Sequence, residues 1–348
     1  MTAGPRPGKR ICVLSTGGTI ASTPSDSGLV PTLDAARLVE MASIPETLCR
    51  IGTVTLFQLD STNIQPEEWK EIAREIHARR HEFDGFVVLH GTDTMAYTSS
   101  MLSFMLPGLD RPVVLTGSQL PMGTKDGDAP ANLRQAVEVA TTDLQGVFVV
   151  FDGTIIRGTR ATKLRTTSRN AFESINSEPV GVFEGARMVL APVRTARVQG
   201  PVELDVRLDP YVFLLKMIPG TRPELFDHLR LLDYRGLVVE GFGLGGVHFL
   251  RRNVLQKIGE LIDAGISVVM TSQCTYEPSD LSIYESGIKA MHSGIIPGLD
   301  MTTESAVTKL MWVLGHTRDR ASVARLMRAD LAGEVGDSLT TGIGTGFA

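Results

Sequence analysis

The sequence predicts an α/β protein of two domains, a larger N-terminal one built on a parallel sheet and a smaller C-terminal one. Three observations carry this. Short apolar runs alternate with amphipathic helical stretches through the first half of the chain. That pattern fails around Ala191–Pro210, then restarts from Tyr211. The 348 residues suffice for two domains of ordinary size. The expected division is one α/β domain over 1–190, a linker over 191–210 and a second α/β domain over 211–348.

Taken in order, Ile11–Ser15, Thr53–Leu59, Gly85–Leu89, Pro112–Leu115 and Gly146–Phe151 read as strands. Helices lie between them. Glu67–His81 sets Trp69, Ile72, Ala73 and Ile76 on one face and follows Pro66, a start signal. Thr94–Leu106 and Ala131–Thr141 are further helices, which places helices on both faces of the sheet. The stretch over 193–204 is charged, irregular and broken by Gly200-Pro201, as a linker would be. Beyond it, Tyr211–Ile218, Gly236–Glu240 and Ile266–Thr271 read as strands. Pro223–Leu232, Asn253–Ala264, Thr303–Leu314 and Ala321–Leu331 read as helices, and the tail from Gly342 is expected to fray.

Composition narrows the function classes. A net charge of −5 leaves no basic footprint for nucleic acid. Cys12, Cys49 and Cys274 are odd in number and far apart, which suggests neither a disulfide framework nor a metal motif and suits a reducing cytosol. The first ten residues are basic, but the apolar stretch after them is too short for a secretory signal, and no run reaches the length of a membrane span.

The most informative segment is Cys12-Val-Leu-Ser-Thr-Gly-Gly-Thr-Ile-Ala-Ser22. A buried strand stops at Gly17-Gly18, flanked by Thr16 and Thr19; glycines there let the backbone turn sharply and approach a ligand with free N–H groups. A hydroxyl just beyond such a turn can be a nucleophile if a base lies nearby. For this segment alone, a plain strand followed by a glycine turn is the favoured reading. Two more strand ends shift the balance: Gly85–Leu89 runs into His90-Gly-Thr-Asp-Thr-Met-Ala96, and Pro112–Leu115 into Thr116-Gly-Ser-Gln-Leu-Pro121. In open α/β sheets ligands bind outside the carboxyl ends of the strands, so three such ends describe one polar pocket.

The motifs TGGTIAS and HGTDTMAYT, in this order and about 70 residues apart, resemble the bacterial-type L-asparaginase/glutaminase family, in particular its cytoplasmic (type I) branch. The resemblance runs from Lys9 to about Leu331. It implies a flavodoxin-like N-terminal domain and a Rossmann-like C-terminal one. It further implies hydrolysis of L-asparagine to L-aspartate and ammonia through a threonine acyl-enzyme, with no cofactor or metal, in a cytoplasmic homodimer or homotetramer whose sites are closed by a neighbour's C-terminal domain.

The resemblance also assigns roles. Thr19 matches the primary nucleophile; the plain alternative is a capping threonine. Thr92 and Asp93 match the second threonine and its acidic partner, and Lys163 the lysine that completes a Thr–Lys–Asp triad. A lysine acting as base must be neutral when it does so, and Arg157, Arg160 and Arg165 are its neighbours in sequence. A structural ion pair between Lys163 and Asp93 is the alternative. Backbone N–H groups of Thr19 and Thr92 match the oxyanion donors. Ser61 matches the substrate-carboxylate loop with Asp60 and Thr62 beside it, although such a cluster at a strand end is also an ordinary turn. Asp93 matches the partner of the substrate ammonium. Gly117 and Ser118 match main-chain contacts to the scissile amide, and Lys125–Leu133 matches a structural element.

Two positions depart from the family pattern. Leu29 stands where many members carry a tyrosine that leans on the nucleophile, so no phenol shuttles a proton there. Gly246, in Gly243-Leu-Gly-Gly246, replaces an asparagine that reaches a neighbouring subunit's site, so discrimination between asparagine and glutamine does not carry over. His90 reads as a satisfied core residue, and His77 and His81 share a helix face without a third metal ligand. Gly241–Gly246 does not meet the dinucleotide spacing.

Other readings differ in kind. An amidotransferase subunit that frees ammonia from glutamine carries a further module before its Thr-Gly-Gly-Thr, whereas 15 residues precede Thr16 here. A non-catalytic amino-acid-binding protein is disfavoured by the intact set Thr19, Thr92, Asp93 and Lys163.

Overall fold

The apolar runs of the first half assemble into one eight-stranded mixed sheet, and those of the second half into a four-stranded parallel one. The computed structural model describes residues 8–26, 28–192 and 201–336. The first seven residues, residues 193–200 of the expected linker and the expected fraying tail lie outside these. The chain divides into two units: one runs to Ser174 and includes Glu178–Val206, the other takes Ile175–Ser177 and the chain from Arg207.

In the first unit β1 (Arg10–Gly17) is followed by a hairpin of β2 (Ser22–Ser25) and β3 (Gly28–Pro31), then α1 (Ala35–Ala42) and β4 (Arg50–Leu59). Next come α2 (Pro66–Arg79), β5 (Gly85–Leu89), α3 (Met95–Met105), β6 (Pro112–Thr116), α4 (Ala129–Ala140) and β7 (Gly146–Phe151). The short strands β8 (Thr154–Arg157), β9 (Ala161–Lys163), β10 (Phe172–Ser174), β11 (Gly181–Glu184) and β12 (Arg187–Leu190) complete it.

The sheet order is β12-β11-β8-β7-β6-β5-β1-β4. Strands β4, β1, β5, β6 and β7 are parallel, while β8, β11 and β12 extend the sheet antiparallel; β9 and β10 form a separate ribbon. Every residue of β5 and β6 is buried, as expected of central parallel strands covered on both faces. Helix α2 starts at Pro66 with a capping box between Gln65 and Glu68, and it buries Trp69, Ile72, Ala73 and Ile76. The face of α4 formed by Leu133, Ala136, Val137 and Ala140 joins Val87, Leu89, Val114 and Phe148 in the core.

The α/β class is as the sequence predicts. The antiparallel extension is not legible in it, because strands of three or four residues with mixed polarity carry no readable period. Helix α1 is also absent from the sequence reading, although Asp34 caps it by accepting the N–H of Arg37 at 2.8 Å. Leu29 sits on the hairpin opposite Pro24 and is half exposed.

The second unit runs β13 (Val212–Lys216), α5 (Glu224–Leu231), β14 (Gly236–Gly241), α6 (Val254–Asp263), β15 (Ser267–Ser272), α7 (Glu285–His292), β16 (Ile296–Pro297), α8 (Thr303–Leu314) and α9 (Arg320–Arg328). Its strands lie in sequence order and all are parallel. Gly246 accepts from and donates to Phe242 in a tight loop after β14. Ile175–Ser177 belongs here through Asn176, whose Nδ2 donates to the Asp300 carbonyl at 3.0 Å and whose Oδ1 accepts the Glu277 N–H at 2.7 Å. Among the described residues no helix is long and apolar enough to cross a membrane.

Candidate active site

The loops that follow β1, β4, β5 and β6 meet because the strands are neighbours in parallel register, so their carboxyl ends share one edge of the sheet. Three glycines allow the loops to close on one another. A Cβ on Gly17 would lie 2.4 Å from the Leu59 carbonyl oxygen, and one on Gly18 would lie 2.4 Å from the Gly91 Cα. Both residues also hold φ values, 106° and 76°, that side chains resist. A Cβ on Gly91 would lie 2.5 Å from Ser61 Oγ. The Gly-Gly turn is therefore a contact surface for two other loops, beyond reversing the chain after a strand.

Thr19 opens a 3-10 turn (Thr19–Ala21) directly after that surface and is partly exposed. The carbonyl of its neighbour Gly18 is fixed from two sides, accepting Ala21 N–H at 3.0 Å and Ser22 Oγ–H at 2.9 Å. The N–H groups of Thr19 and of Thr92 have no hydrogen-bond partner among the described residues.

Thr92, Asp93 and Lys163 come together. Lys163 ends β9, and its Nζ donates to Thr92 Oγ1 at 2.8 Å and to Asp93 Oδ1 at 2.6 Å. Thr92 is 5% exposed and the Lys163 side chain 17%, whereas the Asp93 side chain is 55% exposed. An ion pair with one partner so open to water contributes little to stability, within about 1 kcal/mol. Its geometric effect is larger, because it holds the ammonium on the threonine oxygen.

Ser61 is buried and faces the same loop: its Oγ accepts the Asp93 N–H at 3.3 Å, and its carbonyl accepts Thr94 Oγ1–H at 2.8 Å. Asp60 and Thr62 are exposed and engaged with each other, Asp60 Oδ1 accepting both the N–H and the Oγ1–H of Thr62 at 2.8 Å. Through these bonds Asp60 caps the short turn Ser61–Asn63. Ser118 is buried, and its hydroxyl donates to the Leu120 carbonyl at 2.5 Å, so only its main chain is available to a ligand.

Sequence reasoning marked Lys125–Leu133 as structural but did not say what it holds, which is that last loop. Asp128, at the start of α4, accepts the N–H of Gln119 at 2.7 Å and of Leu120 at 3.0 Å. Asn132, one turn on, donates to the Gly117 carbonyl at 3.0 Å and to Asp128 at 3.3 Å. An Asp and an Asn four apart at the start of a helix were a readable signal that both face one side.

His90 is a core residue, as the sequence suggests, and its protonation state follows from its partners. Nδ1 lies 2.7 Å from the Gly91 carbonyl, which only accepts, so Nδ1 carries the proton. Nε2 then accepts from Thr98 Oγ1 at 2.9 Å, and Thr98 accepts the Trp69 Nε1–H at 3.0 Å. Burial pushes the His90 pKa down to about 4, with the Gly91 bond acting weakly the other way.

Two family models account for most of the chain: the asparaginase N-terminal domain over residues 10–194 and the glutaminase/asparaginase C-terminal domain over 211–327. An L-asparaginase of Thermococcus kodakarensis is 42% identical over 328 residues, covering 94% of this chain and 99% of the relative. A glutamyl-tRNA(Gln) amidotransferase subunit of Pyrococcus furiosus is 39% identical, and the match covers 93% of this chain and 76% of that relative. Among solved structures, the thermostable L-asparaginase of Thermococcus kodakarensis superposes with a TM-score of 0.89 at 41% identity, covering 94% of this chain and 99% of that one. L-asparaginase I of Vibrio cholerae gives 0.83 at 30%, covering 94% and 99%. With both of its α/β units matched and the glycine, threonine and lysine loops gathered at one sheet edge, the chain belongs to the asparaginase/glutaminase family of amidohydrolases.

Proposed function

We propose that this amidohydrolase is an L-asparaginase that uses Thr19 as nucleophile. The observation that carries the reading is the Lys163 bridge to Thr92 and Asp93, set beside a Gly17–Gly18 turn that packs directly against Gly91. Thr19 Oγ attacks the side-chain amide carbon of L-asparagine while its proton passes through the Thr92 hydroxyl to Lys163, which accepts it after releasing to solvent the proton of its resting ion pair with Asp93. The oxyanion accepts from the unpartnered N–H groups of Thr19 and Thr92. The C–N bond then breaks, the nitrogen takes up the proton and leaves as ammonia, and water hydrolyses the acyl-threonine to aspartate. Ser61 receives the substrate carboxylate, flanked by Asp60 and Thr62. Asp93 receives the ammonium, and the main chain of Ser118 meets the amide. The N-terminal domain, 1–190, is the catalytic one; the enzyme works in the cytoplasm as a homodimer or homotetramer.

The Pyrococcus relative supports a second reading, release of ammonia from glutamine for a partner. Ammonia release on L-asparagine, L-glutamine and their D-forms separates the two. The expected result is a higher kcat/KM for L-asparagine, one methylene in a shaped pocket being worth about 1–3 kcal/mol. A higher value for L-glutamine would favour the second reading, and no release from any of them would remove both.

A further inference from the structure

We propose that Asp128 and Asn132 are positioning residues that build the Gly117–Leu120 loop into an acceptor for the leaving amide nitrogen. The proposal rests on the amidase reading above and adds two residues to it. Of the loop's main-chain groups, the Gly117 carbonyl is held by Asn132, and the N–H groups of Gln119 and Leu120 by Asp128. The Leu120 carbonyl is taken by Ser118's own hydroxyl. The Ser118 carbonyl has no partner among the described residues, and Ser118 is 1% exposed. A buried carbonyl without a donor carries a free-energy cost that a bound N–H would relieve.

The loop's position makes a reacting amide the fitting donor. Gly117 packs on the carbonyl of His90, where a Cβ would lie 2.2 Å from that oxygen, so the loop flanks the Gly91–Thr92 segment. On its other side Gln119 Nε2 donates to the carbonyls of Thr166 and Ser168, at 3.2 and 2.9 Å, just beyond the strand that carries Lys163. The loop thus contacts both the segment that leads into Thr92 and the segment that follows Lys163. Asn132 itself is braced by the Asp152 N–H on its Oδ1 at 3.1 Å, and it is 1% exposed. A fully hydrogen-bonded, buried clamp is the arrangement that holds one acceptor at a fixed place without reorganisation during the reaction.

An ester has no N–H to offer that acceptor, which supplies the test. kcat/KM is measured for L-asparagine and for L-aspartate β-methyl ester in wild type, Asp128→Asn and Asn132→Leu. Circular dichroism melts and L-aspartate binding are measured on the same preparations. The expected result is a fall of about 10-fold to 100-fold on the amide, with the ester changed less than about threefold and aspartate binding retained. Equal losses on amide and ester, or no loss on either, would overturn the clamp's role. Should Asn132→Leu fail to fold, Asp128→Asn, which keeps the side chain's shape, decides alone. A wild type that releases no ammonia from any amide removes the functional reading itself, an outcome distinct from an unchanged amide-to-ester ratio in active variants.

Discussion

Thr92 and Thr19 carry the same side chain but occupy different positions. Thr92 is buried with its oxygen on Lys163 Nζ, while Thr19 is partly exposed at the start of a turn. On the proposed mechanism the exposed hydroxyl forms the covalent bond and the buried one relays a proton. Thr19→Ala is then expected to abolish turnover while L-aspartate still binds, measured by calorimetry beside an ammonia assay. Lys163→Met is expected to lower kcat by about 100-fold or more with little change in KM, since it removes proton transfer and no substrate contact. Combining Lys163→Met with Thr92→Val should cost little more than either alone, because members of one catalytic unit are not additive. A covalent adduct of an activated substrate found on Thr92 and absent from Thr19 would reverse the assignment.

At the scale of elements, the Trp69–Thr98–His90–Gly91 chain ties α2 and α3 to the loop after β5. Its histidine is neutral in the fold and titrates near 6.5 when unfolded, so between pH 6.5 and about 4 the unfolded state binds the extra proton. Stability is therefore expected to fall as pH drops through that window, by about 3 kcal/mol in total for this group. Urea titrations at several pH values check this, with His90→Gln expected to lose that share of the slope.

A second tie lies in the other unit. Lys309 on α8 and Glu334 are both 0% exposed and 2.6 Å apart. Burial alone would raise the Glu334 pKa, but the Lys309 charge and the N–H groups of Leu331 and Ala332 outweigh it and hold the pKa below the usual range. Glu334→Gln leaves Lys309 charged and buried, an expected loss of about 3–5 kcal/mol, read from the urea midpoint. A Lys309→Met/Glu334→Leu pair should recover only part of that loss, since the two N–H groups remain without their acceptor.

For the whole molecule, self-association does not follow from size or composition, because each unit buries its own core. It is expected from the functional reading alone. Light scattering during assay is expected to show a dimer or tetramer; a fully active monomer would remove subunit closure from the mechanism. The fold class was legible because central strands such as β5 and β6 are continuous apolar runs and α8 occupies the stretch the pattern marks, Thr303–Leu314. The antiparallel strands β8, β11 and β12 were not, since each is too short to show alternation.

The sequence by itself determined that three strands end in glycine and hydroxyl residues, that Thr19, Thr92, Asp93 and Lys163 are present, and that the chain has two α/β halves. Local residue chemistry and period suffice for those statements. Tertiary structure decided the rest. Thr92 and Lys163 are 71 positions apart, and only the turn from the sheet into β9 brings the ammonium onto the hydroxyl. Asp128 took hold of the N–H groups of Gln119 and Leu120, and Asn132 of the Gly117 carbonyl 15 positions away. Hydrogen-bond partners across such separations are chosen by strand order and close packing, and neither is written in any local stretch of residues.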